Sequence, residues 1–533
     1  MKRLLHQSTA AILMLASASF ALAQTGGAGR VGAGNNNQSR SNVSNQSRIP
    51  PTPIEQFTLK NGLRVVFNRD RAIPVVSVAV YYNAGSRNEK QGRTGFAHLF
   101  EHMMFQGSEN VPKAAHFQFI SNAGGDMNGN TTTERTAYFQ TLPANQLPLA
   151  IWLESDRMRS LAVTKENLDN QRKAVQEEKR MRYDNQPYLN GLLRINEMIF
   201  KNFSNSHSTI GSMEDLDAAS VEDVQEFFRI YYAPNNAVLV LSGDFEPGEA
   251  RALVEKYFGT IPRQSDPPMP EVSEPDAVAV RQDTYNDRFA QIPAFILGWK
   301  VPARRTADFY ALQLAGDLLF DGESSRLYQK MVKGEESVLT IQGFFGERRG
   351  PSSMYIFALP KPGKEPAQVK QTVLNEIKRL ATEGPTAEEM EKLRNSLLND
   401  AVRGRQSSLY RAQQIAEYTL YDNDPNLFNT EIDRYLAVTA EQIKQAVKRF
   451  LDTDNFANLS IVPRGAAGAP ASGPQSTQQR QPDSPPPTVP DKPKPTQPAQ
   501  PATPVQPGQT TGQPQQPTDK PAPPQTGTGT GRP

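Results

Sequence analysis

Residues 98 to 102 read His98-Leu99-Phe100-Glu101-His102, and this stretch decides how the surrounding chain is interpreted. On a helix, His98 and His102 lie one turn apart on one face, so both imidazoles can reach one metal ion. Glu101 projects toward the same side, close enough to act on an attacking water. Zinc suits imidazole and carboxylate, and a catalytic zinc site has three protein ligands and one open position. The stretch therefore predicts two metal ligands, His98 and His102, and a general base, Glu101.

The rarity of histidine in this chain makes the pattern informative. There are five histidines among 533 residues, so composition alone produces such a match in on the order of a few per thousand chains. The flanking residues favour a helix, because Gly95 precedes an apolar face and Gly107 follows it. The spacing H-x-x-E-H is typical of the inverzincin class of zinc peptidases. We therefore expect Zn²⁺ as the cofactor.

The third metal ligand is not decided by spacing. The chain has no cysteine, so a carboxylate is the expected choice. A helix predicted over residues 164–186 carries several glutamates, Glu177 and Glu178 among them. Glu178 shares a face with Arg172 and Val175, whereas Glu177 lies about 100° away around the helix and points elsewhere. Acidic residues on helices are usually only solvated, so the spacing leaves the choice open.

Composition excludes some classes of partner. The 58 basic and 56 acidic side chains give a net charge of +2, and no basic stripe with interleaved aromatic residues suggests nucleic acid. Without cysteine the fold has no disulfide, and the metal site has no thiolate. We expect no nucleic-acid partner.

The first residues resemble an export signal. Lys2 and Arg3 are followed by a short apolar run over residues 10–20, and Ala21-Leu22-Ala23 supplies a small-x-small cleavage pattern. The run is too short to span a bilayer comfortably. We expect residues 1–23 to be a cleaved signal peptide, the mature protein to lie in the periplasm, and no stable membrane anchor to remain.

The rest of the chain divides by composition. Residues 24–50 are rich in Gly, Asn, Gln and Ser and predict a flexible leader. Residues 465–533, rich in Pro, Gln and Thr, predict a disordered tail. Between them, strand and helix signals alternate, including long helices predicted over residues 366–383 and 386–421. A linker rich in Pro and Asp separates a first domain, residues 51–265, from a second, residues 270–464.

An internal comparison predicts that the two domains are similar. Ser220 begins an amphipathic segment that runs to Tyr231, and Thr439 begins one that runs to Phe450 with apolar residues at matching places. In each case a predicted strand follows. The predicted fold is therefore α+β, with two homologous halves that each have a mostly antiparallel sheet covered by helices.

Specific motifs make the chain similar to a known family over roughly residues 51–463. It resembles the pitrilysin/insulinase peptidases, family M16, and within them the shorter two-domain bacterial relatives of the mitochondrial processing peptidase. The motifs that carry the resemblance are residues 95–107, Gly124-Gly125, Asn128, Thr131, Thr136, Tyr138 and the segment Arg172-Lys173-Ala174-Val175-Gln176-Glu177-Glu178. The last of these fits the R-x-x-V-x-x-E pattern that supplies the family's third metal ligand.

The resemblance implies a site and an activity. It assigns the zinc ligands to His98, His102 and Glu178, and the general base to Glu101. It implies a clamshell of two bowl-like halves, with an exposed strand edge near Asn128 that binds an extended peptide by backbone pairing. The implied activity is that of a zinc-dependent endopeptidase acting on unfolded peptides or oligopeptides.

Two departures from the family pattern affect this interpretation. Several relatives have a further glutamate where this chain has Gln171, which can hydrogen-bond but adds no charge. Self-sufficient relatives also carry an arginine and a tyrosine seven residues apart in the second half, where alignment places Val332 and Leu339. Neither can donate a hydrogen bond to an oxyanion. We therefore expect a heterodimer in which this chain bears the zinc and an M16-like partner supplies the Arg/Tyr pair.

Two other functions stay open at this point. One is a non-catalytic M16-like binding or assembly subunit that keeps the fold, which the intact motif disfavours. The other is a different zinc hydrolase, for instance an amidase acting on cell-wall peptides, because the motif does not discriminate among amide substrates.

Overall fold

The computed structural model describes residues 49–275 and 281–464, which belong to one compact unit of the chain. The predicted signal peptide, nearly all of the predicted leader and the predicted tail lie outside the described residues. Within the described ranges, no helix combines the length and the apolar character that crossing a membrane requires.

The first half is built on a six-stranded sheet. Its strands are β1 (Glu55–Thr58), β2 (Arg64–Arg69), β3 (Val75–Tyr82), β4 (Asp126–Thr131), β5 (Thr136–Pro143) and β6 (Ala237–Gly243). Its helices are α1 (Phe96–Met103), α2 (Ala115–Asn122), α3 (Leu147–Arg159), α4 (Lys165–Lys179), α5 (Leu189–Ile199), α6 (Phe203–Ser206), α7 (Met213–Asp217), α8 (Val221–Tyr231) and α9 (Pro247–Phe258).

The second half is built on a five-stranded sheet. Its strands are β7 (Arg281–Asp287), β8 (Ala294–Val301), β9 (Val338–Gly346), β10 (Ser352–Pro360) and β11 (Ala457–Pro463). Its helices are α10 (Ala307–Leu319), α11 (Pro366–Glu383), α12 (Ala387–Arg405), α13 (Ser408–Asp422), α14 (Leu427–Leu436) and α15 (Ala440–Phe450).

The two sheets share one topology. The strand orders are β1-β2-β6-β3-β5-β4 and β7-β11-β8-β10-β9, so the second sheet repeats the first except for β1. In each sheet one pair is parallel, β2 with β6 and β7 with β11, and the other pairs are antiparallel. The helices α8 and α15, which precede β6 and β11, both begin with a capping box, at Ser220 and Thr439. The predicted α+β fold with two similar halves is confirmed.

The central strands of each sheet are buried on both faces, because the halves exchange a helix. Along β3, every second side chain packs against helices of the first half. Ala79 and Tyr81 lie on the opposite face of the sheet and pack against α13, a helix of the second half. Reciprocally, α5 of the first half packs Ile195 and Ile199 on the outer face of the second sheet. Burial on both faces explains why these strands read as continuous apolar runs.

Glycines allow α5 to approach the second sheet closely. A Cβ atom at Gly191 of α5 would lie 2.5 Å from Cδ1 of Ile461, and one at Gly298 of β8 would lie 2.6 Å from Cδ1 of Ile199. Side chains at these positions would push the helix away from the sheet. The absence of a Cβ is therefore required for this contact.

Two predicted helices differ from those observed. The helix predicted over residues 386–421 is wrong as one element: it is divided into α12 and α13, because the Ser407 side chain accepts a hydrogen bond from the Tyr410 amide and starts a new helix. The helix predicted over residues 164–186 ends as an α-helix at Lys179 and continues as a π-helical turn, Arg180–Asp184. The domain boundaries at residues 265 and 270 stay predictions.

Candidate metal centre

The motif lies on α1, an amphipathic helix of two turns. Leu99, Phe100 and Met103 are fully buried in the core of the first half, and this apolar face fixes the helix rotation. His98 and His102 then project from the opposite face, with ring centroids 4.8 Å apart. The local pattern of apolar and polar residues therefore places both imidazoles on one side.

A carboxylate from the neighbouring helix α4 completes the cluster. Oε2 of Glu178 lies 3.2 Å from Nε2 of His102 and 3.6 Å from Nε2 of His98. The ligand atoms of these three residues all lie within 4.8 Å of one another. Ligand atoms about 2.1 Å from a tetrahedral zinc ion are about 3.4 Å apart. The separations of Glu178 from the two histidines match this spacing, and two imidazoles with one carboxylate are a donor set that zinc prefers.

Adjacent glutamates on α4 have different surroundings. Glu177 is exposed and pairs with Arg180 at 3.2 Å, whereas Glu178 is half-buried and faces the histidines. The second carboxylate oxygen of Glu178, Oε1, forms an ion pair with Nη1 of Arg182 at 2.8 Å. Arg182 lies in the π-helical turn that follows α4. It therefore holds the carboxylate with Oε2 directed at the histidines.

Glu101 is held beside the cluster by the hairpin of β4 and β5. The Thr131 hydroxyl donates to Oε2 of Glu101 at 2.7 Å. A Cβ atom at Gly129 would come within 3.3 Å of Cγ and Oε1 of Glu101, so the glycine leaves room for this carboxylate. The neutral hydroxyl of Thr131 thus orients Glu101 through Oε2 and leaves Oε1 unbound by this donor, which suits a general base.

Without a bound cation, the pKa values of His98 and Glu178 are shifted toward the forms that bind metal, whereas that of His102 is shifted the other way. Burial, helped by the neighbouring His102, lowers the pKa of His98 to about 4, so this imidazole is neutral at neutral pH. Burial also opposes protonation of His102, but its hydrogen bond to Glu178 and the charge of Glu101 outweigh burial and raise its pKa. Burial opposes ionisation of Glu178, but the two histidines outweigh it and lower its pKa. The cluster thus offers a neutral imidazole and an ionised carboxylate.

The pKa of Glu101 moves the other way. Burial raises it, although the hydrogen bond from Thr131 acts in the opposite direction. A carboxylate with a raised pKa accepts a proton more readily than an exposed one. Gln171, the amide at the position of the family's further glutamate, is buried and hydrogen-bonds His102.

Asn128 lies on β4, the edge strand of the first sheet. Its side chain is exposed, and its Oδ1 accepts from the amide of Gly129 at 2.8 Å. Because β4 pairs only with β5 among the described strands, its other edge has backbone groups available for pairing. The structure thus places Asn128 on a strand edge next to the strand residues that flank Glu101.

Self-sufficient relatives carry an Arg/Tyr pair at the positions of Val332 and Leu339. Here the first position is packed among apolar residues and the second faces solvent. Val332 lies in a π-helical turn, Tyr328–Gly334, and packs against the core of the second half. Leu339 lies on β9, and 51% of its surface is exposed. Neither side chain carries a hydrogen-bond donor.

Sequence reasoning missed three residues around the site. Arg182 could have been suspected, since it follows Glu178 by four residues on a helix. Glu89 hydrogen-bonds the first turn of α1 and contacts His207, but these two residues are far apart in sequence and match no local motif. Only the scarcity of histidine could have drawn attention to His207.

Two family models match the chain. The model described as "Insulinase (Peptidase family M16)" matches residues 64–211, and the one described as "Peptidase M16 inactive domain" matches residues 218–397. The first match contains His98, Glu101, His102 and Glu178. The chain belongs to peptidase family M16.

Individual relatives agree with this assignment. A protein named zinc protease PqqE from Helicobacter pylori is 27% identical over 422 residues, which cover 77% of this chain and 93% of the relative. The crystal structure of a protease from Helicobacter pylori superposes with a TM-score of 0.75 at 25% identity, covering 78% of this chain and 100% of that one. A peptidase M16 inactive domain from Pseudomonas fluorescens has the same fold, with a TM-score of 0.69 at 16% identity and coverage of 77% and 98%. The fold is that of M16 zinc proteases.

Proposed function

We propose that this chain is a zinc-dependent endopeptidase that hydrolyses unfolded peptides or oligopeptides in the periplasm. The observation that carries the proposal is the convergence of His98, His102 and Glu178 on one point, beside the buried carboxylate of Glu101. Two imidazoles, one carboxylate and a separate base are the donor set of a hydrolytic zinc site.

Each residue of the site has a defined task in this reaction. His98, His102 and Glu178 would hold the ion, which supplies Lewis-acid polarisation of the scissile carbonyl and of the attacking water. Glu101 accepts the proton of that water and then passes it to the leaving amine. Thr131 keeps one oxygen of Glu101 engaged, so that the other oxygen is the one that takes the proton.

The edge strand β4 supports an extended peptide as the substrate. Residues 126–131 form this strand, and Thr131 at its end contacts Glu101. A peptide added to the edge as a further strand would therefore run past the base. Backbone pairing is tolerant of sequence, so we expect Asn128 to contribute contacts and unfolded chains to be preferred over folded ones.

A partner subunit and the periplasmic location complete the proposal. The apolar side chains of Val332 and Leu339 cannot stabilise an oxyanion, so a second M16-like chain would supply the Arg/Tyr pair in a heterodimer. The expected signal peptide over residues 1–23 supports export. We propose that the mature protein acts in the periplasm with this partner.

One alternative is favoured by a specific observation. The second half matches a model described as an inactive domain, and the neighbour from Pseudomonas fluorescens carries the same description. A non-catalytic binding or assembly subunit would keep the fold without turnover. The complete set of ligands and base in the first half argues for the peptidase.

The test combines metal content with peptide cleavage. The wild-type chain and Glu101→Gln are purified, alone and co-expressed with the candidate M16-like partner, and are offered unfolded peptides and a cell-wall amide substrate. We expect one zinc ion per chain in both proteins and cleavage by the wild type only. Zinc binding without turnover, even with the partner present, would favour the binding subunit. Turnover of the cell-wall amide alone would favour an amidase, and full activity of the isolated chain would remove the need for a partner.

A further inference from the structure

The motif helix has no cap from its own first residue. Helix α1 begins after Gly95, which has φ +85° and offers no side chain to the first turn. Instead Glu89, whose side chain is fully buried, reaches the helix from the preceding turn. Its Oε1 accepts from the amide of Ala97 at 2.8 Å, and its Oε2 accepts from the amide of Gly95 at 3.0 Å. A carboxylate from the turn before the helix therefore satisfies the first amides of the helix.

The same carboxylate is bound by His207. Nε2 of His207 lies 2.9 Å from Oε2 of Glu89, and its Nδ1 lies 2.6 Å from the carbonyl oxygen of Phe203. A carbonyl only accepts, so Nδ1 carries a proton and donates it. The imidazole ring also stacks on Phe203, with centroids 4.2 Å apart and planes 13° apart. The ring is thus held on two sides while Nε2 faces Glu89.

One proton lies between Glu89 and His207. Burial raises the pKa of Glu89, although the hydrogen bond with His207 and those from the amides of Ala97 and Gly95 act in the opposite direction. Because Nδ1 is already protonated, a proton on Nε2 makes the ring an imidazolium. The pair is then a buried, charge-assisted hydrogen bond directed at the helix N-terminus, where a carboxylate is favoured.

We propose that Glu89 and His207 are positioning residues that anchor the first turn of α1 and thereby place His98 and His102 for metal binding. The inference rests on the proposed function for its metal and deepens it by naming what holds the ligand helix. Metal sites need their ligands held within roughly 0.5 Å, and both histidines lie on this helix of eight residues.

The surroundings leave the helix start little freedom of its own. The neighbouring Thr94 amide donates to Oδ2 of Asp215 at 2.9 Å, so a second carboxylate tethers the residue before Gly95. On the other side, a Cβ atom at Gly95 would lie 2.8 Å from the carbonyl oxygen of Ile210. The chain entering α1 is therefore clamped between segment 210–215 and Glu89. Without His207, Glu89 would keep its bonds to the helix start but would lose the side chain that holds it in place.

The experiment compares Glu89→Gln and His207→Gln with the wild type and with a matched control, His116→Gln. His116 is also a buried histidine, 4% exposed, and hydrogen-bonds Gln140 of β5. Two measurements are made on the full chain: amide hydrogen exchange of peptides covering residues 93–104 in metal-free protein, and zinc affinity by competition with a chelator.

We expect both substitutions to speed exchange in the first turn of α1 by about tenfold or more and to weaken zinc affinity by about tenfold. The control should lower thermal stability and change neither quantity. Wild-type exchange and affinity in the folded variants would overturn the inference, as would faster exchange with unchanged affinity. If Glu89→Gln does not fold, His207→Gln carries the test, because it keeps the capping carboxylate. A wild type that binds no zinc would count against the proposed function, and the metal-free exchange would still decide whether the pair anchors the helix.

Discussion

Oε2 of Glu178 lies 3.2 Å from Nε2 of His102, although the two residues come from different helices. This contact joins α4 to the motif helix α1 and brings a carboxylate into the cluster of imidazoles. The neighbouring Glu177 is turned toward solvent and pairs with Arg180. A shift of one residue along α4 therefore distinguishes a candidate metal ligand, Glu178, from a surface charge, Glu177.

The first prediction concerns this pair of adjacent glutamates. Glu178→Gln removes the only carboxylate of the three-residue cluster, so zinc affinity should fall by roughly a hundredfold or more, beyond the effect of losing an outer-shell partner. Glu177→Gln changes the same residue type one position away and should retain zinc. Metal content after dialysis against a chelator measures both. Loss of zinc in Glu177→Gln alone would contradict the orientation of α4.

A second prediction concerns Arg182, which holds the other oxygen of Glu178. Arg182→Met should weaken zinc affinity by about threefold to tenfold, the low end for an outer-shell partner, because the Arg182 side chain is half exposed and screened. Arg180→Met, which breaks the surface pair with Glu177, is the matched control and should leave affinity unchanged. Titration with a chromophoric chelator distinguishes them. Equal effects of the two variants would show that only general charge matters.

Thr131 gives a third prediction, on turnover. Thr131→Val keeps the shape of the side chain and removes the hydroxyl that donates to Glu101. We expect kcat/KM to fall about tenfold, part of the roughly hundredfold or larger contribution of a general base, while zinc content stays at the wild-type level. Thr133→Val, two residues along the same hairpin, serves as the control. An unchanged kcat/KM would mean that Glu101 is oriented by other contacts.

The fourth prediction is a pH dependence of stability. Burial lowers the pKa of His207, but the hydrogen bond and the charge of Glu89, with the carbonyl of Phe203 and the backbone of Ser86, outweigh burial and raise it above the ordinary 6.5. A raised folded-state pKa contributes stability that is fully present below pH 6.5 and is lost as pH rises through the folded value. In metal-free protein, the difference in urea midpoint between wild type and His207→Gln should therefore be largest below pH 6.5 and shrink in alkali. A difference that grows with pH would reverse the sign and reject the pair.

The exchanged helix α13 gives the fifth prediction. Ile415 is fully buried against the first sheet, although it belongs to the second half. Ile415→Ala should lower the free energy of unfolding by about 2–5 kcal/mol, the usual cost of such a cavity. Val402→Ala, at a position 47% exposed on α12, should change it by less than about 0.5 kcal/mol. Chemical denaturation measures both. A small effect at Ile415 would mean that α13 is not essential to the cover of the first sheet.

Local pattern was enough for the motif helix and for the repeat. The apolar residues around His98 and His102 repeat with a helical period, and that period fixes which residues share a face. The matching segments that begin at Ser220 and Thr439 contain their own capping signals, and both start helices in the structure. These features depend on residues a few positions apart, so the sequence encodes them directly.

Other local predictions were incomplete for physical reasons. The long helix predicted over residues 386–421 has no proline in its interior, and the break at Ser407 depends on a side chain that caps the backbone. The residues after Lys179 keep a helical pattern, but the backbone there adopts the wider π-helical turn. The period of apolar residues predicts neither the break at Ser407 nor the π-helical turn. It shows which residues share a face of a helix, but not which hydrogen bonds each turn makes.

Short-range spacing in the sequence was enough to predict the shared face of His98 and His102 and the duplication of the fold, because both predictions depend on residues a few positions apart. Long-range contacts show that Glu178 lies against the imidazoles, as the resemblance implied. They alone reveal that α5 and α13 are exchanged between the halves and that Glu89 and His207 meet at the start of α1. Each of these relations joins residues that the chain path brings together from separate elements. Long-range packing selects that path, so no local pattern of residues contains it.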